Sequence, residues 1–213
     1  NSLETFADSK TPLPWHDANN GSPNTLFRNE GEWQFSDVTQ QVGLDENNGR
    51  YSYSAAWEDF DNDGDQDLYV ANDFGRNNLY RNAEGLFEDI AATAGVEDIS
   101  AGMGVTWGDY NNDGQMDVYV SNMFSSAGSR VATQPQFRPG ADPKLREQLL
   151  RFARGNTLLK NQQDGTFDDA SLDAAVTMGR WAWSSNFVDL NNDGWEDILV
   201  ANGMITGDDS GDL

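Results

Sequence analysis

The sequence predicts an all-β fold made of repeated four-stranded antiparallel blades. The arrangement is β-propeller-like, either partial or completed by oligomerisation, with one short helical insert. Three observations carry this reading. An acidic nine-residue stretch occurs three times in register, at Asp59–Asp67, Asp109–Asp117 and Asp189–Asp197. Each copy lies between β-prone runs. Each is preceded by a hairpin-like phrase of nearly constant wording. Four-stranded units recurring at about 50 residues are the signature of propeller blades.

Residues 1–23 are rich in Pro, Asn, Asp and Gly and predict an extended lead-in with little core of its own. His16, the single histidine, has Trp15 and Asp17 beside it, which is no recognisable ligand set; a structural or surface role is expected. Asn20-Gly21-Ser22 has the form of a glycosylation sequon. The chain opens at Asn1 without Met or a signal peptide, so a mature, trimmed or partial product is expected.

The repeat domain spans residues 24–204, in units of about 24–77, 78–155 and 156–204. The units open on Asn24-Thr25-Leu26-Phe27-Arg28-Asn29, Asn78-Leu79-Tyr80-Arg81-Asn82 and Asn156-Thr157-Leu158-Leu159-Lys160-Asn161. A second β-prone run follows in each, across a turn containing Gly31, Gly85 or Gly165. Two such runs about a glycine turn predict a hairpin. An alternating strand comes next. Tyr51, Tyr53, Ala55 and Trp57 alternate in the first unit, Ala101, Met103, Val105 and Trp107 in the second, and Trp181, Trp183, Ser185 and Phe187 in the third. Period two places each set on one sheet face, expected to be buried. After the acidic stretch come Leu68–Ala71, Val118–Ser121 and Ile198–Ala201, apolar runs suited to an inner strand covered on both faces.

The second unit carries an insert at 123–155. Asp142 as N-cap, Pro143 in the first turn and Gly155 as the stop predict a helix with Leu145, Leu149 and Phe152 on one face. Six of the 13 basic residues fall in this insert, so it is expected to pack over its own blade or to dock on an acidic neighbour in the chain or another subunit. Residues 205–213 form a polar tail.

The acidic stretches carry the chemistry. Position one is Asp59, Asp109 and Asp189; position three Asp61, Asn111 and Asn191; position five Asp63, Asp113 and Asp193; position nine Asp67, Asp117 and Asp197. Position seven, Asp65, Gln115 or Trp195, can add a backbone carbonyl whatever its side chain. Gly64, Gly114 and Gly194 allow the sharp return of the chain. Carboxylates at this density repel one another without a cation, and an oxygen-only, flexible set favours Ca²⁺, at about three sites. An EF-hand does not fit, because strands flank the loops and Asp closes them at position nine rather than Glu at twelve. The metal is expected to stabilise rather than react.

Composition narrows the function further. With 36 acidic against 13 basic residues the formal charge is -23, which argues against nucleic acid and anionic membranes as partners. There is no cysteine, and no apolar run approaches the length of a membrane span. Catalysis is not expected, since no Ser-His pairing or phosphate loop is present; a carbohydrate-active enzyme built on a carboxylate pair is the weakest alternative. Trp33 and Trp195, placed at loops, are candidates for glycan contact, whereas Trp181 and Trp183 are expected in the core.

Asp59–Asp67 with Leu68-Tyr69-Val70-Ala71-Asn72, and its two counterparts, resembles the calcium-binding FG-GAP/VCBS repeats of integrin α-subunit propellers. The phrases Asn24–Asn29, Phe35-Ser36-Asp37-Val38-Thr39 and Val105–Tyr110 look most like the cartilage acidic protein relatives that carry such repeats ahead of an ASPIC/UnbV region. The resemblance covers about residues 24–204. It implies a propeller fold, a secreted or surface location, a role in adhesion or recognition of a protein or glycan, and calcium ligands at positions one, three, five, seven and nine. The sequence departs from that family in showing no ASPIC/UnbV region and only three clear repeats, with part of another expected at the start. A closed propeller typically needs about four blades or more. The chain is therefore expected either to be a fragment or to complete its sheets with copies of itself, as a self-assembling structural subunit would.

Overall fold

The computed structural model describes residues 11–203. Their strands form two complete four-stranded antiparallel sheets and two two-stranded ones. The first complete sheet runs β3 (Tyr51–Glu58), β4 (Asp67–Asp73), β5 (Asn78–Ala83), β6 (Leu86–Asp89). The second runs β7 (Gly102–Gly108), β8 (Asp117–Asn122), β9 (Thr157–Asn161), β10 (Phe167–Asp169). β1 (Phe27–Gly31) pairs with β2 (Gln34–Asp37) ahead of them, and β11 (Ala182–Val188) with β12 (Asp197–Asn202) behind. Each acidic loop joins the first two strands of a sheet, and the following hairpin supplies the third and fourth. Sheets and sequence units are thus out of phase, since the units open on the hairpin. β1–β2 corresponds to the outer half of a blade, and β11–β12 to the inner half.

Successive sheets pack face to face. Between the two complete ones lies a core of Phe60, Tyr69, Leu79, Val118, Leu159 and Phe167, with Val105 and Trp107 against it. The buried tyrosines satisfy their hydroxyls: Tyr69 donates to the Val96 carbonyl and Tyr119 to that of Val176, both at 2.8 Å. This ties each second strand to a turn after its hairpin, Ala94-Gly95-Val96 in the first complete sheet and Ala174-Ala175-Val176 in the second. β4 and β8 are buried along their length, as their apolar runs predict.

Two expectations about buried faces need correction. In the second unit Ala101 and Met103 are buried and Val105 and Trp107 half-buried against the core. In β3, however, Tyr53, Ala55 and Trp57 are exposed, because no described strand covers that face. In β11 the alternation slips. Ala182 and Ser185 are buried and Trp183 is exposed, although the equivalent bulge in β7 leaves Met103 buried; no described sheet covers Trp183. β12 is likewise not covered on both faces, and Leu199 and Asp197 are exposed there.

The insert contains the expected helix, α3 (Pro143–Phe152), with the Asp142 carboxylate accepting from the Lys144 N–H at 2.8 Å. Two further helices, α1 (Ala91–Ala94) and α2 (Ser126–Ala132), were not expected. The basic insert docks within its own chain. Arg151 bridges the buried Asp98 at 3.0 Å and Asp169 at 2.8 Å, and Arg154 reaches Asp169 at 2.7 Å. The lead-in docks as well. Ala18 is buried, its N–H donates to the Phe74 carbonyl at 2.7 Å, and Asp17 pairs with Arg50 and Arg76. His16 lies edge-on to Trp15. The Asn20 amide of the sequon is engaged with Thr11 and Leu13. The polar tail, 205–213, lies outside the described residues.

The insert's anchor has a pH signature. Burial alone would raise the Asp169 carboxyl, but hydrogen bonds from Ser171 and Arg154 and the charge of Arg151 hold it down to about 2. A depressed acid contributes stability that is complete above its unfolded value near about 4 and is lost as pH falls through its folded value. Melting temperature is therefore expected to fall between pH 4 and pH 2, with Asp169→Asn flattening part of that slope.

Candidate metal centre

The three acidic loops share one backbone design. The position-one carboxylate accepts the N–H groups of positions five and six. Asp59 takes Asp63 and Gly64, both at 3.0 Å; Asp109 takes Asp113 at 3.0 Å and Gly114 at 2.8 Å; Asp189 takes Asp193 at 3.1 Å and Gly194 at 2.9 Å. The position-five carboxylate then accepts the position-seven N–H, at 2.9–3.0 Å in each loop. Position six turns through positive φ, at +97°, +82° and +86° for Gly64, Gly114 and Gly194, where a Cβ would be strained.

In the first loop Asp59, Asp61 and Asp67 each bring a carboxylate oxygen within 4.8 Å of the others. Asp61 is raised by burial and then by the charge of Asp63. In the second and third loops Asn111 and Asn191 stand at position three. Each amide oxygen accepts the position-five N–H at 3.0 Å and retains a second lone pair. The position-seven side chains turn elsewhere: Asp65 accepts the Glu84 N–H at 2.7 Å, Gln115 accepts from Asn62 at 3.1 Å, and Trp195 is exposed. Their backbone carbonyls are what position seven offers a cation.

Position nine is where loop and sheet join. Asp67 and Asp117 are fully buried at the start of β4 and β8. One oxygen of each accepts an N–H from the next strand, Asn82 at 2.7 Å and Asn161 at 2.8 Å. The second oxygen of Asp117 is buried with no hydrogen-bond partner. Burial pushes Asp67 up to about 6 and Asp117 up to about 7, outweighing the N–H groups that favour their charged forms. A buried acceptor with nothing to accept is costly, and a cation beside it would remove that cost. This donor set fits a hard divalent ion. Asp197, the third copy, is exposed, and among the described strands β12 pairs only with β11.

One loop position was missed in the sequence. Asn62, Asn112 and Asn192 at position four all adopt left-handed backbone, with φ of +59°, +56° and +59°. Asn tolerates this region better than other side chains, and that preference was the available signal. Asn62 also donates to Gln115 of the second loop at 3.1 Å, and Asn112 to the Gly194 carbonyl of the third at 2.8 Å. The loops are thus linked in series along one rim. Asn112→Ala, losing that bond and the αL tolerance, is expected to cost ~1–2 kcal/mol in urea unfolding. Asn112→Gly should recover the backbone part.

The profile of the FG-GAP-like repeat family matches residues 17–70, 59–120 and 149–200. The chain belongs to the FG-GAP-like repeat family. All three FG-GAP matches end just past an acidic loop, within β4, β8 and β12, and the match at 59–120 spans two loops and the strands β4 to β7 between them. No curated protein matches the chain. FG-GAP repeats are typical of surface and extracellular proteins, and no helix among the described residues is long and apolar enough to cross a membrane.

Proposed function

We propose that this chain is a non-enzymatic, calcium-stabilised extracellular module for recognition or adhesion, related to the cartilage acidic protein group. The observation that carries the reading is the serial rim of three acidic loops, each closed by its position-one carboxylate and, in both complete sheets, rooted by a buried position-nine carboxylate. Ca²⁺ at these loops would neutralise the crowded acids and clamp the first two strands of each blade, with the side chains of positions one, three, five and nine and the position-seven carbonyl as ligands. A cation sphere filled by protein oxygens leaves little room for substrate. That favours scaffolding over catalysis.

The ligand is a protein or a glycan. Trp33 at the β1–β2 turn is 95 % exposed and Trp195 is 55 % exposed on the calcium rim, and both offer aromatic faces for stacking. Screening the chain on glycan and extracellular-protein arrays, in calcium and in EDTA, tests the reading. The expected result is calcium-dependent binding to a defined ligand class, weakened by Trp195→Ala where the ligand is a glycan. Binding indifferent to calcium would contradict it.

A further inference from the structure

A cavity of about 420 Å³ lies away from the acidic rim, where β4 ends and β7 and β11 begin. Asp67 of the rim and Asp73 of the cavity stand at opposite ends of β4, about 20 Å apart for an extended strand. The insert supplies one wall. It leaves the second blade between β8 and β9, where the first blade has only the short connection from β4 to β5. The Ser129 hydroxyl donates to the Ala153 carbonyl at 2.7 Å and holds α2 on α3. The Phe124 N–H donates to the Arg180 carbonyl at 2.7 Å and Met123 bridges Trp181, which fixes the start of the insert to the third blade. Trp15 of the lead-in closes another side, edge-on to Phe152 with ring centroids 5.1 Å apart.

The lining is aromatic and apolar around a single acid. Trp15, Phe74, Phe124, Phe137, Phe152 and Trp181 border the space, and among the described residues Asp73 is its one ionisable group. The Ser125 hydroxyl is occupied in capping α2, accepting the Gly128 N–H at 3.0 Å. Tyr69 and Ala71 lie in the core between the complete sheets, and period two puts Asp73 on that same face of β4. Asp73 is 6 % exposed. Its carboxylate accepts the Phe74 N–H at 3.0 Å, and no cation among the described residues pairs with it. The arginines of the lead-in contact and of the insert answer other acids: Arg50 and Arg76 pair with Asp17, Arg151 and Arg154 with Asp169. Burial pushes the Asp73 carboxyl up to about 6, with only the Phe74 N–H favouring its charged form. At neutral pH it is a buried charge without a counter-charge, which is costly.

We propose that this cavity binds a small organic ammonium ion with an apolar body, its charge on Asp73 and its body among the aromatic rings. The volume falls within the ~300–1,000 Å³ of small-molecule sites. Aromatic faces attract a cation and cover its apolar part, and a carboxylate answers the ammonium protons. An anion would meet Asp73 as a like charge, and a neutral ligand would leave the acid unanswered. The formal charge of -23 draws cations toward the molecule. No residue of the three acidic loops lines the cavity, so the site does not depend on metal at the rim.

Isothermal titration of phenethylamine, 2-phenylethanol and phenylacetate into the full chain at pH 7.5 is the test, run in excess calcium so that the rim acids compete little for the amine. The expected result is saturable uptake of about one phenethylamine per chain, with the alcohol and the acid bound at least roughly tenfold more weakly. Asp73→Asn keeps an acceptor for the Phe74 N–H and removes the charge. It should stay folded by circular dichroism, melt no lower than the wild-type chain, and bind the amine roughly 10–100-fold more weakly. Phe137→Ala, at a half-buried position of the insert wall, should weaken the amine as well. No saturable uptake of the amine, equal uptake of the alcohol, or amine binding unmoved by either substitution would overturn the proposal.

Discussion

Chelation is expected to lower the melting temperature by roughly 15–30 °C, and added Ca²⁺ to restore it. At calcium a hundredfold above the dissociation constant each site contributes about 2.7 kcal/mol, so three sites contribute about 8 kcal/mol. A domain of this size shifts by about 2–4 °C per kcal/mol. The physical source is the metal-free loop. Asp67 and Asp117 are buried with carboxyls raised to about 6 and about 7, so above those values the folded state must hold uncompensated charge. A raised acid contributes stability below its unfolded value that is lost as pH rises through its folded value. The metal-free protein should therefore weaken from about pH 4 to pH 7, the range over which deprotonation makes it a better calcium host. A melting curve unchanged after thorough chelation at pH 7.5 would remove calcium from the account.

Replacing Phe60 by Ala should cost ~3–5 kcal/mol, the usual range for a fully buried aromatic. Phe60 occupies position two of the first loop and is buried. Its ring stacks near-parallel on Trp107 at 6.2 Å and tilts against Phe167 at 5.6 Å, and its carbonyl accepts from the Asn161 side chain of the next blade at 2.9 Å. One residue thus couples an acidic loop to the core between blades. The loss should appear in urea unfolding with calcium and equally in EDTA, because the ring's partners, Trp107 and Phe167, lie in the core and not among the loop carboxylates. A loss under about 1 kcal/mol would contradict the inter-blade packing.

The local rules were legible in the sequence and the long-range ones were not. Asp at positions one and five, with Gly at six, marks a self-closing turn because these carboxylates answer backbone N–H groups a few residues away, whereas position nine answers the next strand. Asp142 and Pro143 marked the start of α3 for the same local reason. The phase of the sheets depends on which hairpin pairs with which loop, a choice made by contacts such as Tyr69 with Leu79, and the repeat period is silent on it. The bulge in each sheet's first strand was invisible too. Ser52/Ser54, Gly102/Gly104 and Ala182/Ser184 carry it, small residues with no fixed type. The burial of Trp57 and Trp183 was misjudged because alternation assigns a face and says nothing about whether a neighbouring sheet covers it. At the site, the bonds of Asn62 and Asn112 to the next loop exist only once blades stand side by side.

The central claim is that the three loops are calcium clamps. Isothermal titration of Ca²⁺ into the chelator-stripped full chain at pH 7.5 tests it most directly. The account predicts about three ions bound per chain, held against excess Mg²⁺, because many flexible oxygens suit the larger ion. No saturable uptake, or equal uptake of magnesium, would contradict it.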